Sequence, residues 1–121
     1  MLPSVLVVDD DQDSRDALSD LLELKGVKVL AKGVNGHDAA EKFSQYAPDL
    51  VLMDMMMPKF DGMYGLEHIK NIDSNAKVIM ITADQSQTTR NKIYQYSNTK
   101  IIGKPIDVDE LVKLIMGYSF W

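Results

Sequence analysis

The alternation of short apolar runs with amphipathic segments constrains the fold of this 121-residue chain more than any other feature. The strongest run is the β-branched stretch VLVV at residues 5–8, which is typical of a strand buried on both faces. Further strands are predicted at residues 27–31, 50–53, 78–81 and 101–102. Each predicted strand except the one at residues 78–81 is followed by a segment in which apolar side chains recur at helical spacing.

Five helices are predicted between and after these strands, at residues 14–25, 36–46, 64–71 and 86–96 and from residue 108 onward. Gly26 is a C-terminal stop for the first helix. Asp107 and Glu110 have the spacing of a capping box at the start of the last one. Alternating strands and helices indicate an α/β fold with a parallel sheet that is covered on both faces and joined by right-handed crossovers.

Composition narrows the possible functions. The chain is 45% hydrophobic and 26% charged, which is sufficient for one domain with a real core. Its net charge of -5 offers no footprint for a phosphate backbone, so we expect no nucleic-acid binding. The absence of cysteine excludes disulfides and thiolate metal sites and fits a reducing compartment, the cytoplasm. No run is long enough to span a membrane, and no signal-peptide pattern begins the chain, so no membrane partner is expected.

Polar residues that follow the predicted strands carry the functional signal. In doubly wound sheets, ligands bind beyond the carboxyl ends of the strands. Those positions hold Asp9, Asp10, Asp54, Thr82 and Lys104. Two carboxylates about 4 Å apart repel by about 4 kcal/mol at an effective dielectric near 20, so a divalent cation would relieve their crowding. A set of oxygen ligands without His or Cys favours Mg²⁺.

An anion could bind on the far side of such a metal. Lys104 would contribute a point charge, and Thr82 would contribute a hydroxyl donor. A metal held by acids beside an anion grip suits phosphoryl transfer.

Four motifs occur in order across essentially the whole chain. They are Asp-Asp after the first strand, DMMMPKFDG from Asp54, Thr-Ala after the fourth strand and Lys-Pro after the fifth. In this order and spacing the chain resembles a response-regulator receiver domain of two-component signalling, similar to single-domain chemotaxis regulators. The resemblance implies one receiver domain over residues 1–121. It also implies a flavodoxin-like, doubly wound five-stranded sheet with strand order 2-1-3-4-5.

The resemblance assigns a phosphoacceptor and a metal site. It makes Asp54 the residue that accepts a phosphoryl group. Asp10 and Asp54 would coordinate Mg²⁺ directly, together with the backbone carbonyl of Met56. Asp9 would act mainly through a metal-bound water. The loop that leaves Asp54 would be shaped by Met57-Pro58 and Gly62.

The resemblance also assigns an anion grip and partners. Lys104 would pair with phosphoryl oxygens and Thr82 would turn inward to bond one of them. A cis bond between Lys104 and Pro105 would position the lysine, and cis bonds are essentially confined to proline. The donor would be a histidine kinase or a phosphotransfer protein, and the output would be a downstream target or effector domain. Such a domain is a signalling phosphoacceptor that slowly hydrolyses its own aspartyl phosphate, not a conventional enzyme.

The chain departs from the family pattern near its output region. Ile101 stands where the family often has a switch aromatic, and Ser97-Asn98 replaces the usual Gly-Ala. The helix predicted at residues 86–96 is almost wholly polar before Ile93, so it buries little apolar area. We therefore expect it to be loosely held in the free protein and ordered by phosphorylation, without an aromatic rotamer flip.

Three alternative functions fit this sequence less well, namely a pseudo-receiver, a phosphohydrolase and a P-loop enzyme. A pseudo-receiver that only binds partners would lack a site residue, and none is missing. Phosphohydrolases with an aspartate nucleophile need a second acid two residues later, where this chain has Met56. No G-x-x-x-x-G-K-[ST] motif supports a P-loop enzyme.

Several residues also have simpler interpretations. Asp11 suits a helix cap, and Thr82 by itself could cap the helix after it. His37 and His68 lack partners at ligand spacing, so both are expected to be solvated.

Overall fold

A computed structural model describes residues 3–121, in which five strands alternate with five α-helices and a short 3₁₀ segment ends the chain. The strands are β1 Ser4–Val8, β2 Lys28–Gly33, β3 Leu50–Asp54, β4 Val78–Thr82 and β5 Thr99–Gly103. The helices are α1 Gln12–Leu24, α2 Gly36–Tyr46, α3 Gly62–Ile72, α4 Gln87–Tyr94 and α5 Val108–Met116, followed by the 3₁₀ segment Tyr118–Phe120.

The five strands form one parallel sheet in the order β2-β1-β3-β4-β5. This order confirms the predicted flavodoxin-like, doubly wound architecture. The chain reverses its direction of travel across the sheet between β2 and β3, so β1 and β3 lie side by side at the switch point. Loops at the carboxyl ends of these two strands are therefore placed to form a site.

Alternate strand residues face two separate cores, as the period of a strand requires. Leu6 and Val8 of β1 pack on one side, with side chains from α2, α3 and α4. Val5 and Val7 pack on the other side, with side chains from α1 and α5. Every residue of β3 and β4 is buried, which explains why these strands appear in the sequence as continuous apolar runs.

The bounds of several elements differ from the predicted ones for local reasons. Helix α1 begins at Gln12, because the side chain of Asp11 accepts a hydrogen bond from the Ser14 amide and caps it. Gly26, at φ 87°, ends the turn after this helix as predicted. Strand β2 starts one residue later than predicted and continues to Gly33. Asp54 and Thr82 are the last residues of their strands, so backbone pairing fixes where each side chain starts.

Helix α4 is shorter than predicted. It spans Gln87–Tyr94, with Ser86 as its N-cap. Ile93 is fully buried, and Thr89 is 8% exposed. In residues 3–121, no helix combines the length and apolar character needed to cross a membrane.

Candidate phosphoacceptor and metal site

Three carboxylates meet at the switch point of the sheet. Asp9 and Asp10 follow β1, and Asp54 ends β3, the neighbouring strand. Each side chain offers an oxygen that lies within 4.8 Å of the other two. Asp54 is only 6% exposed, whereas Asp10 is exposed and Asp9 is half-buried. The cluster thus has a buried acid at its base and a solvent-facing acid at its rim.

Lys104 pairs with the buried acid. Its Nζ donates to Oδ1 of Asp54 at 2.9 Å, from the loop that follows β5. The Met56 amide donates to the same oxygen at 3.2 Å, while the Met56 side chain is 77% exposed above the loop. The peptide bond between Lys104 and Pro105 is cis, as the resemblance implied.

The electrostatics of the cluster appear most clearly at Asp9. Burial raises the pKa of Asp9, and the charges of Asp54 and Asp10 act in the same direction. The Asp11 amide, which donates to Oδ1 of Asp9 at 3.0 Å, and the Lys104 ammonium oppose that shift. Because the net pKa is raised, the charged form of Asp9 is incompletely compensated by the protein. A bound cation would supply the missing compensation.

The start of α1 supports the backbone of this cluster. Asp11 accepts from the Ser14 amide at 2.9 Å and from the Ser14 hydroxyl at 2.6 Å, which lowers its pKa. Asp11 therefore acts as a helix cap, as its simpler interpretation predicted. Arg15 donates to the Asp9 carbonyl at 2.8 Å. No sequence motif marks Arg15 as part of the site, although it lies only one helical turn beyond the capped start of α1.

Thr82 lies at the same edge of the sheet but is engaged elsewhere. Its Oγ1 accepts from the Asp84 amide at 2.9 Å and donates to the Asp84 carbonyl at 3.3 Å. It does not cap α4, because the cap is Ser86, whose hydroxyl accepts from the Thr89 amide. The sequence signal that could have located this cap is the serine itself, because Ser is among the preferred N-cap residues.

The loop between β3 and α3 is held tightly against Asp54. The Gly62 amide donates to the Met55 carbonyl at 3.0 Å. A Cβ at position 62 would lie 2.4 Å from the Asp54 carbonyl oxygen and 2.8 Å from the Met55 Cα. Only glycine permits this approach, so Gly62 fixes the path of the backbone that leaves the acid.

A cleft of about 280 Å³ opens beside Asp9, Asp54 and Lys104. Its remaining lining residues come from β1, α1, β3, β4 and the loop after β5, and are Val7, Val8, Ser14, Leu18, Leu52, Ile81, Pro105 and Ile106. The cleft borders Asp54 and Lys104, whereas Asp10 and Thr82 do not line it. The apolar walls limit the water around Asp54.

The two histidines lie apart from this cleft. His37 Nδ1 lies 2.9 Å from Oε1 of Glu41, and His68 Nδ1 lies 2.8 Å from the Tyr64 carbonyl oxygen. Neither belongs to the acid cluster found among residues 3–121. Both partners lie on the same helix as their histidine, which gives these residues a local structural role.

Comparison with known proteins identifies the family. The sequence model for the response regulator receiver domain matches residues 5–116. This chain belongs to the response regulator receiver domain family. Members of the family are signalling modules of two-component systems. The receiver-domain assignment confirms the resemblance that the four motifs carried.

Relatives of this receiver domain match it over nearly its full length. The chemotaxis protein CheY of Bacillus subtilis is 36% identical over 115 residues, which cover 95% of this chain and 96% of that protein. The structure of a LuxR-family two-component response regulator from Aurantimonas matches with a TM-score of 0.89 at 25% identity, covering 97% of this chain and 84% of the other. The CheX–CheY complex of Borrelia burgdorferi with beryllium fluoride and magnesium matches with a TM-score of 0.87 at 27% identity, covering 98% and 89%.

Proposed function

We propose that residues 1–121 act as one receiver domain that accepts a phosphoryl group on Asp54 in the presence of Mg²⁺. The observation that carries this proposal is the environment of Asp54. It is a buried acid, paired with Lys104 at 2.9 Å, within a cluster of three carboxylates beside an open cleft. The nucleophile, a cation to receive an anion and a metal-binding set of oxygens thus occur together.

The donor set fits Mg²⁺. In the proposed arrangement Asp10, Asp54 and the Met56 backbone carbonyl would hold the ion, and Asp9 would act mainly through a metal-bound water. These donors are all oxygens, and three of them are carboxylates that lie within 4.8 Å of one another. When bound, the ion would neutralise charge on the incoming phosphoryl group.

The side chains of this chain perform the remaining steps. An Asp54 carboxylate oxygen attacks phosphorus, the bond to the nitrogen of the donor phosphohistidine breaks, and the histidine keeps the electron pair. Lys104 moves from Oδ1 of Asp54 to a phosphoryl oxygen, and Thr82 bonds another. Water later cleaves the acyl phosphate, which releases phosphate and restores the Asp54 carboxylate. The site therefore resets itself.

The partners follow from this chemistry. The donor is a histidine kinase or a phosphotransfer protein, and the phosphorylated domain binds a downstream target or effector. A cytoplasmic location is part of the proposal and rests on the family alone. The Borrelia burgdorferi CheY structure supports a partner complex, since it contains CheX together with beryllium fluoride and magnesium.

The proposal is tested by labelling with a small acyl phosphate, with and without Mg²⁺, followed by mapping of the modified residue. Labelling is expected at Asp54 only, and only with the metal. Asp54→Asn should abolish it, whereas Asp20→Asn, an exposed acid on α1, should leave it unchanged. Labelling of Asp54→Asn at the wild-type rate would overturn the assignment. An unlabelled wild-type protein would instead favour the pseudo-receiver alternative, a domain that only binds partners.

A further inference from the structure

The hydroxyl of Thr82 is hydrogen-bonded to the backbone of Asp84, two residues later in the loop after β4. Thr82 is 2% exposed, and its Oγ1 both accepts from the Asp84 amide and donates to the Asp84 carbonyl. The hydroxyl proton of Thr82 is therefore donated to a carbonyl in the loop after β4. Turning the hydroxyl toward a phosphoryl oxygen requires both of these bonds to break.

The carboxylate of Asp84 continues this chain of contacts into α4. Its Oδ2 accepts from the Thr89 hydroxyl at 2.6 Å, and its Oδ1 accepts from the Ser86 amide at 2.9 Å. The hydrogen bonds from Thr89 and Ser86 lower the pKa of Asp84. The Thr89 hydroxyl lies within the first turn of α4 and is almost fully buried. Asp84 thus contacts Thr82 through its backbone and α4 through its carboxylate.

Few other contacts hold the N-terminal end of α4 in place. The buried residues of α4 are Thr89 and Ile93, and Ile93 lies in the last turn. The half-buried Ile101, which replaces the usual aromatic, offers no hydroxyl. The first turn therefore depends on polar contacts, and Asp84 makes two of them.

A second contact ties the same loop to β5. A Cβ at position 103 would lie 2.3 Å from Nε2 of Gln85, so the Gln85 amide rests directly on Gly103. Arg90 of α4 donates to Oε1 of Gln85 at 3.3 Å. The loop thus spans the strand that leads to Lys104 and contacts α4 on its other side.

We propose that Asp84 and Thr89 form a polar latch that couples Thr82 to α4 and holds the unphosphorylated conformation. The proposal rests on the proposed function, because it assigns a consequence to the inward turn of Thr82. When Thr82 turns, the hydrogen bonds between its hydroxyl and the Asp84 backbone break. The loop after β4 is then released, and the first turn of α4 loosens. By linkage, a substitution that weakens the latch must favour the phosphorylated conformation by the factor by which it destabilises the unphosphorylated one.

The binding test uses beryllofluoride with Mg²⁺ as a phosphoryl mimic. Thr89→Val removes the hydroxyl at nearly constant shape, and Thr89→Ser retains it. Thr88→Val makes the same change at the exposed neighbouring position and is the matched control. Thr89→Val is expected to bind the mimic about fivefold tighter or more, which is the lower end of common coupling factors. Thr89→Ser and Thr88→Val should bind as the wild type does.

Amide exchange gives a second readout that does not depend on affinity. In the free wild type, the amides of residues 89–94 should be protected, because those of Thr89 and Arg90 donate to Ser86 and the later ones lie within the helix, and the mimic should accelerate their exchange. Free Thr89→Val should already exchange rapidly there. This direction is opposite to the one that the polar sequence of α4 suggests by itself, because the sequence pattern does not include the contacts of Asp84.

The possible failures are distinguishable. If the wild type binds the mimic but Thr89→Val and Thr88→Val bind alike and exchange alike, the latch is wrong and the proposed function stands. If the wild type binds no better than Asp54→Asn, the proposed function fails, and the role of the latch fails with it.

Discussion

The ammonium of Lys104 lies 2.9 Å from Oδ1 of Asp54, although the two residues are 50 positions apart in the chain. In the unphosphorylated protein, Lys104 thus forms an ion pair with the acid whose phosphorylation it would assist. The Lys104 side chain is 38% exposed and that of Asp54 is 8% exposed. Asp54 therefore has little access to water and depends more than Lys104 does on this ion pair. Removal of the lysine leaves a charged, buried carboxylate without its main partner.

Lys104→Met should therefore reduce both stability and labelling. The metal-free protein is expected to lose about 1–3 kcal/mol of unfolding free energy, the usual range for leaving a buried polar group unpaired. Labelling by a small acyl phosphate should slow about a hundredfold, the scale of losing one preorganised donor. Denaturant titration and timed labelling measure the two effects, with Lys28→Met on the exposed start of β2 as the control. Labelling at the wild-type rate would contradict the role given to Lys104.

Asp10→Asn should have the opposite effect on metal-free stability. Asp10 is the exposed member of the cluster, so its removal relieves repulsion without leaving a buried partner. Its melting temperature without metal should rise modestly. The wild type should gain about 2.7 kcal/mol when Mg²⁺ reaches a hundredfold excess over its Kd, and Asp10→Asn should not. Asp13→Asn, on the exposed first turn of α1, should retain the response. A lower metal-free melting temperature for Asp10→Asn would show that other partners hold these acids.

Gly62→Ala should disturb the phosphoacceptor through the backbone. The new Cβ would meet the Asp54 carbonyl oxygen and the Met55 Cα, which cannot rotate away as a side chain can. We expect a loss of about 1–3 kcal/mol, typical of overpacking, and slower labelling per folded molecule. Gly117→Ala is the matched control, because the nearest atom to its Cβ is 3.4 Å away. Thermal melts and labelling separate the two variants, and equal behaviour would contradict the contact.

Lys70 predicts a pH dependence of stability far from the site. Its ammonium is buried and donates to the Ala76 carbonyl at 2.5 Å and to the Ser97 carbonyl, joining α3 to the loop before β5. Burial lowers the pKa of Lys70 to about 8. The unfolded chain, with a pKa near 10.5, holds this proton more tightly, so unfolding takes up a proton between these values. The unfolding free energy should therefore rise as the pH increases from 8 toward 10.5.

The comparison with Lys70→Met isolates this effect. Titration of other groups cancels in the difference between the two proteins. Denaturant unfolding at pH 7 and pH 9.5 should show the wild type gaining stability relative to the variant at the higher pH. A difference that stays constant across this range would mean that Lys70 keeps its proton in the folded state.

Local patterns in the sequence determined the order of the elements and the identity of the residues at the carboxyl edge. Hydrophobic periodicity reports burial, and the end of each apolar run marks where a strand ends. Parallel topology then brings Asp9, Asp10 and Asp54 to one edge of the sheet. The acid cluster was predictable because it depends only on where strands end, not on how side chains turn.

Only the tertiary structure decided the direction of each side chain and the contacts between distant segments. Sequence spacing placed Thr82 at the edge, but packing determined that its hydroxyl bonds the Asp84 backbone. The polar sequence of α4 cannot show that the Asp84 carboxylate accepts a hydrogen bond from the Thr89 hydroxyl. The burial of Lys70 between two loops is likewise invisible locally. Such contacts depend on rotamers and on backbone positions that are fixed only when all the elements pack together, and no periodicity in the sequence encodes them.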